Sequence, residues 1–184
     1  MDGEWPAWAT QPVEIVDPDP DWPAEAAKLI DDLERRLASW RDGAIEHVGS
    51  TAVAGLPAKP VIDLLAPVSD LDGVAGAHRM LADGGWQLVP PELDQRPWRR
   101  LYVLPDGERR RAHLHLVARS HPKWQETLAF RDTLRRQPGL AADYASVKRA
   151  AARDHHDDRE AYTAAKSSFI AEVVAARSDP SADH

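Results

Sequence analysis

The sequence predicts an α+β domain: a mixed sheet flanked by helices, with a helical C-terminal third. Three observations point there. Strand-like runs are confined to the first two thirds of the chain, one helical pattern falls between the first strands and another before a hairpin, and beyond Pro122 only helix-period patterns occur. At 184 residues and 43% apolar composition the chain can close one core without disulfides or metal staples.

In order, "VEIVD" (13 to 17) alternates like a short strand. Asp21 offers an N-cap with Pro23 in the first turn, and Ala26, Ile30, Leu33, Leu37 and Trp40 recur at spacings of three and four. That spacing predicts a helix from about 23 to 40, with Gly43 ending it. "AIEHV" (44 to 48) reads as a strand, and "PVIDLLAPV" (60 to 68) as a second one whose continuous apolarity implies cover on both faces. "LDGVAGAHRMLADGG" (71 to 85) reads as a helix and "WQLV" (86 to 89) as a short strand. "WRRLYVL" and "RRAHLHLVAR" form a hairpin around "PDGE". Helices follow near 122 to 137, 139 to 153 and 158 to 176. Residues 1 to 12 and 178 to 184 read as tails around one domain, 13 to 177.

Composition narrows the function classes. A net charge of −7 argues against binding long nucleic acid, whose affinity rests on clustered Lys and Arg. No apolar run reaches the roughly 20 residues that span a bilayer, and no secretory pattern opens the chain. The expectation is a cytoplasmic protein. Cysteine is absent, so any metal must take Asp, Glu, His or backbone oxygen.

Asp63 stands out because a carboxylate on a buried strand needs a cation, a hydrogen-bond partner or a charge to pair with. It reads equally as a metal ligand or base and as a cap on a neighbouring loop. Gly49, Ser50 and Thr51 follow a strand directly, where backbone N–H and hydroxyl groups can meet phosphate oxygens or form an ordinary turn. His113 and His115, two apart on a strand, face the same way. With Asp63 they would suit Zn²⁺, Mn²⁺ or Fe²⁺, or one of them would act as a base, or both are hydrogen-bonded sheet residues. Glu46 and His47 lie on opposite faces of their strand, and His47 reads as a supporting residue.

Lys59 precedes the Asp63 strand, Lys148 lies on one C-terminal helix, and Tyr162 and Lys166 share a face of the next. All four suit phosphate contacts, with solvated helix charge as the alternative. Of Arg99 and Arg100 only one can face a given pocket, and Arg96 is a further candidate for an acidic ligand. Arg109, Arg110 and Arg111 read as exposed hairpin residues. His155 and His156 are adjacent in a charged link and make a poor metal pair. Trp22, Trp40, Trp86 and Trp124 read as core, while Trp98 beside the arginines is a stacking candidate.

Gly49-Ser50, twelve intervening residues and then Asp63 on a strand resemble the pattern of DNA polymerase beta-like nucleotidyltransferases. There Gly-Ser holds the triphosphate and strand-borne carboxylates hold Mg²⁺. The second carboxylate of that pattern is Leu65 in this chain, and the strand expected to bring a third brings His113 and His115. "EHVGSTAVAGLPAKPVIDLL", "HLHLV", "FRDTLRRQPGLAADYASVKRAAA" and "DREAYTAAKSSFI" together resemble the GrpB family of nucleotidyltransferase-like proteins, over roughly residues 13 to 174. The resemblance implies a polymerase beta-like fold. It also implies a nucleoside triphosphate, a divalent ion (Mg²⁺ or Mn²⁺, or Zn²⁺ or Fe²⁺ if the histidines ligate) and a small-molecule acceptor. Related domains occur fused to dephospho-coenzyme A kinase, which hints at nucleotide or coenzyme metabolism. On that resemblance Asp63, His113 and His115 are the expected catalytic and metal residues. Gly49, Ser50, Thr51, Lys59, Arg99, Lys148, Tyr162 and Lys166 are the expected phosphate contacts.

Overall fold

A computed structural model describes residues 6–10, 12–155 and 158–178. Its centre is a five-stranded mixed sheet of β1 (Glu46–Val48), β2 (Ile62–Val68), β3 (Gln87–Leu88), β4 (Arg99–Asp106) and β5 (Arg109–Ala118), in the order β1-β2-β5-β4-β3. β2 and β5 pair in parallel and the other neighbours antiparallel. The helices are α1 (Trp22–Arg36), α2 (Ala77–Ala82), α3 (Pro91–Asp94), α4 (Pro122–Arg136), α5 (Pro138–Asp154) and α6 (Arg159–Ser178). The architecture is therefore the expected one, helical C-terminal third included.

Alternation along β2 and β5 gives the sheet two unlike faces. Ile62, Leu64, Ala66, Val68, Leu114 and Leu116 are wholly buried beneath the apolar sides of α1 and α2. The other face carries two separate apolar patches. One joins Val48, Leu65 and Val117 to Trp124 of α4, and the other joins Val89, Leu101 and Val103 to Trp8. Asp63, His113 and His115 lie on this same face, so the polar residues are flanked by core rather than by solvent.

Several elements differ from expectation for identifiable reasons. "VEIVD" forms one isolated bridge, Val16 to Ala58, instead of a strand. Pro57 and Pro60 beside Ala58 lack the N–H groups that would extend it. α1 stops at Arg36, and Leu37–Trp40 turn so that Arg41 can bridge to Val68. The 71 to 85 segment splits into a 3₁₀ turn, Gly73–Gly76, and the short α2, in keeping with the low helix propensity of Gly73 and Gly76. α3 is an unforeseen single turn. Residues 7–10, expected within a tail, form a 3₁₀ turn that buries Trp8.

Arg110 corrects the expectation of three exposed hairpin arginines. It is 2% exposed, donates from Nε to the Trp8 carbonyl at 2.9 Å, and stacks over the Trp8 ring at 5.0 Å. Its planar, weakly hydrated guanidinium suits this stacked, buried position. Trp22, Trp86 and Trp124 are buried as expected. Among the described residues no helix is long and apolar enough to cross a membrane.

Candidate active site

The parallel pairing of β2 with β5 sets Asp63 opposite His113 and Leu65 opposite His115. Both rings converge on one carboxylate oxygen: His113 Nδ1 lies 2.9 Å and His115 Nε2 3.4 Å from Asp63 Oδ1. Burial pushes the Asp63 carboxyl upward, but the hydrogen bonds from His113 and His115 outweigh it and hold Asp63 well below the usual carboxylate range. Asp63 is thus an anion at neutral pH.

Arg99 fixes which way His115 bonds. Its Nη1 meets His115 Nδ1 at 2.7 Å, while Nε and Nη2 grip the Asp94 carboxylate as a fork. A guanidinium only donates, so Nδ1 must accept and the ring proton sits on Nε2, facing Asp63. Burial, then the charge of Arg99, keeps His115 below its ordinary pKa against the pull of Asp63 and Asp94. The ring is therefore neutral. Asp94, Arg99, His115 and Asp63 form one polar chain from the β3–β4 connection to β2, buried at Asp94 and half-buried at Asp63. Arg100 points to the other face and meets Asp72 at 3.5 Å, so Arg99 is the member of the pair that serves the site.

The Gly-Ser loop closes over Asp63. Gly49 adopts φ +71°, and a Cβ built there would stand 2.6 Å from Asp63 Oδ2, so glycine is required twice over. Ser50–Ala52 form a 3₁₀ turn. Thr51 is buried, with its Oγ1 2.9 Å from His47 Nε2. Burial is the main reason the His47 pKa falls to about 4, so His47 is a neutral support, as expected. α4 pins the loop from behind: Arg131 donates to Glu46 at 2.7 Å and to the His47 carbonyl at 3.0 Å, and Arg135 to the Ala52 carbonyl at 2.9 Å. Gly49→Ala is expected to lose more than 2 kcal/mol of stability through clash and backbone strain, and to abolish ligand binding at the loop. Chemical denaturation beside a nucleotide titration checks both.

A cavity of about 240 Å³ opens between this face of the sheet and α5 and α6. Ser50 and Thr51 line its loop side, Asp63, His113 and His115 its floor, and Lys59 and Arg99 its flanks. Lys148 of α5 and Tyr162 and Lys166 of α6 close it from above. Of the expected site residues, only Gly49 lies outside the lining, on the adjoining cavity. Five basic side chains, counting Arg96, face two acidic ones, Asp63 and Glu160. In a chain of net charge −7 this is a local reversal of sign suited to an anionic ligand.

Lys148 is 1% exposed, donates to the Pro57 carbonyl and sits 5.0 Å from the centre of the Tyr144 ring. Burial, then the charges of Lys166 and Arg149, lower its pKa to about 7. Lys166 Nζ lies 4.0 Å from the Tyr162 ring centre. Burial also raises Tyr162 to about 12 and Tyr144 further, so both hydroxyls are neutral donors. Tyr144 is wedged between Phe130 and Phe169. Tyr144 and Asp94 were not among the expected site residues. A signal for Tyr144 exists in its position four before Lys148, on the same helix face.

One oxygen or nitrogen from each of Asp63, His113 and His115 lies within 4.8 Å of the others, and no other such group of three occurs among the described residues. The Asp63 carboxylate supplies the hard oxygen donor that a divalent ion prefers. His115 fits less directly: ligation through Nε2 requires that proton to leave and Arg99 to release Nδ1. His113 has no such lock from Arg99. His155 belongs to no such group, and His156 lies outside the described residues.

Comparisons with known proteins show what the chain as a whole is similar to. A family profile described as GrpB protein matches residues 12–176. The chain is 36% identical over 165 residues to a UPF0157 protein of Pseudomonas aeruginosa, covering 88% of this chain and 66% of that one. It is 30% identical over 180 residues to a dephospho-CoA kinase of Mycolicibacterium paratuberculosis, covering 86% of this chain and 44% of the kinase. The chain thus spans about two thirds or less of the length of these two relatives. The crystal structure of GrpB from Enterococcus faecalis superposes with a TM-score of 0.77 at 26% identity, covering 88% of this chain and 95% of that one. The GLD-2/RNP-8 complex superposes at 0.53 and 15% identity, over 90% of this chain and 62% of that one, a likeness of fold alone. The polymerase beta-like fold is therefore shown.

Proposed function

The chain belongs to the GrpB family, and from that footing we propose that it is a nucleotidyltransferase-like enzyme that moves a nucleotidyl group from a nucleoside triphosphate to a small-molecule acceptor. The observation that carries the reading is the meeting of Ser50, Asp63, Lys59, Lys148 and Lys166 around one cavity. The triphosphate would lie with its outer phosphates against Ser50, Thr51 and the three lysines, and its α-phosphate near Asp63. Tyr162 would donate to a phosphate oxygen. A divalent ion held by Asp63, with His113 as the nearer of the two histidines, would neutralise developing charge on the phosphates. The basic side chains are already in place, with Lys148 buried and Lys59 and Lys166 half-buried, so they would stabilise the transition state with little reorganisation. A nucleoside triphosphate as co-substrate is in keeping with a cytoplasmic protein.

Calorimetric titration of ATP with Mg²⁺ or Mn²⁺ is expected to show binding that weakens at least tenfold in Asp63→Asn. The reading fails if no nucleoside triphosphate binds with either ion and Asp63→Asn changes nothing. A second reading, a catalytically silent nucleotide- or coenzyme-binding module, is favoured by one observation: Leu65 fills the place of the second acid and is buried. That module would bind nucleotide equally well in chelator and release no pyrophosphate with any acceptor.

A further inference from the structure

A second cavity, of about 620 Å³, adjoins the first, and the two share Asp63, Arg99, His115 and Lys166. Its character is different. Leu65, Trp98, Phe130, Ile170 and Val174 are its large apolar wall residues, and Tyr144 lies among them. Its volume falls in the range of small-molecule sites. The polar groups away from the junction are already engaged: Lys123 with Glu126 at 2.6 Å, Thr127 with the Lys123 carbonyl, and Ser167 with the Thr163 carbonyl. The polar end of this lobe is thus the boundary with the basic cavity, at Asp63 and His115.

We propose that this apolar lobe is the acceptor subsite, and that the acceptor is a small molecule with a ring-sized or alkyl apolar body and a single hydroxyl or amine. The inference rests on the nucleotidyl-transfer reading for its chemistry. In phosphoryl-group displacement the attacking and leaving atoms stand roughly in line across the phosphorus. The leaving pyrophosphate belongs to the lysine-lined cavity, so the nucleophile enters from the opposite side of Asp63, which is the apolar lobe. The acceptor oxygen or nitrogen forms the new bond to the α-phosphorus, and the bond from that phosphorus to the bridging oxygen breaks. Pyrophosphate departs with the electron pair, and the acceptor proton passes to solvent water. Leu65 gains a reason in this arrangement. An acid there would put charge into the wall on which the acceptor body lies, whereas Leu65 continues the apolar patch of Val48, Val117 and Trp124.

The test uses phenylalkanols from benzyl alcohol to phenylpentanol, titrated into the full chain without nucleotide and followed by backbone amide shifts. Affinity is expected to rise about threefold to fourfold per methylene, with shifts at Leu65, Trp98 and Ile170. Ala171 lines the lobe and is exposed, so Ala171→Trp can fill it without disturbing the core. That variant is expected to weaken phenylpentanol at least tenfold and to leave tripolyphosphate binding within twofold. No dependence on chain length, unchanged phenylpentanol binding in Ala171→Trp, or equal loss of both probes overturns the proposal. So does competition between phenylpentanol and ATP, since that assigns the lobe to the nucleobase. Failure of the nucleotide reading looks different: phenylalkanol binding persists while ATP and tripolyphosphate do not bind.

Discussion

Arg99→Met is expected to lower the free energy of unfolding by about 3–5 kcal/mol at neutral pH, because it leaves the Asp94 carboxylate buried without its fork. Asp94 is 6% and the Arg99 side chain 11% exposed, so solvent cannot replace the lost partner. For a chain of this size the loss corresponds to a fall of roughly 10 °C in melting temperature. The pH dependence identifies the cause. In the wild type, burial raises Asp94, but the hydrogen bonds and charge of Arg99, helped by Arg96, hold it below its ordinary value. That pair contributes stability above the ordinary carboxylate pKa and loses it as pH falls through the folded pKa. In Arg99→Met only the longer Arg96 contact, at 3.4 Å, still opposes burial, the folded pKa rises above the unfolded one, and stability falls as pH increases through that interval. Wild type and variant should therefore show opposite slopes in acid denaturation curves, and parallel slopes would refute the assignment. The same variant frees His115 Nδ1, so tighter Zn²⁺ retention by at least tenfold is expected in a chelator competition. Arg99→Lys should recover only part of the stability, since an ammonium cannot span both Asp94 and His115.

Lys148→Met should separate stability from ligand binding. The wild-type pKa of about 7 lies below the ordinary 10.5, so between those values the unfolded chain holds a proton that the folded chain has shed. Wild-type stability therefore rises with pH across that window, by up to about 5 kcal/mol for a depression of this size. Methionine removes the slope, leaving an offset for the unpaired Pro57 carbonyl. At pH 7 the same change should weaken tripolyphosphate binding 10- to 100-fold, roughly the loss of a charge-assisted hydrogen bond in a desolvated site. A bound polyphosphate should also reprotonate Lys148, so calorimetry at pH 8 in buffers of different ionisation enthalpy should register proton uptake in the wild type alone. Superimposable stability-versus-pH curves for the two proteins would exclude a buried, neutralised Lys148.

What the sequence made legible follows from how local the determinants were. Gly49, Ser50 and Asp63 sit on consecutive elements, and the resemblance to the nucleotidyltransferase pattern is what linked them, since spacing alone left Asp63 open between a ligand and a loop cap. Lys148, Tyr162 and Lys166 could be placed on helix faces by periodicity, and their convergence on Asp63 came from the family resemblance. The failures have another character. Asp94 lies in a turn whose role exists only because β4 carries Arg99 past it toward β5, a contact that no periodicity encodes. Arg110 looked solvated within a run of three arginines. Its burial depends on Trp8, 102 residues away along the chain. The 13 to 17 segment had strand composition, but strands are made by their partners, and this one faced prolines.

The pairing of β2 with β5 has a consequence for how the molecule assembles. Asp63 and His113 are 50 residues apart, and the parallel ladder between them can form only after the intervening chain has closed as a loop around α2, β3 and β4. Closure entropy on that scale is spent before any of its contacts repay it, which makes such pairings slow. α5 and α6 can acquire helical structure locally and early, but they then face an incomplete floor. Recovery of phosphate affinity during refolding should therefore coincide with the slowest protein phase that consolidates the sheet, and trail the early gain of helical signal. The site works, in effect, as its own indicator that the long-range topology is complete.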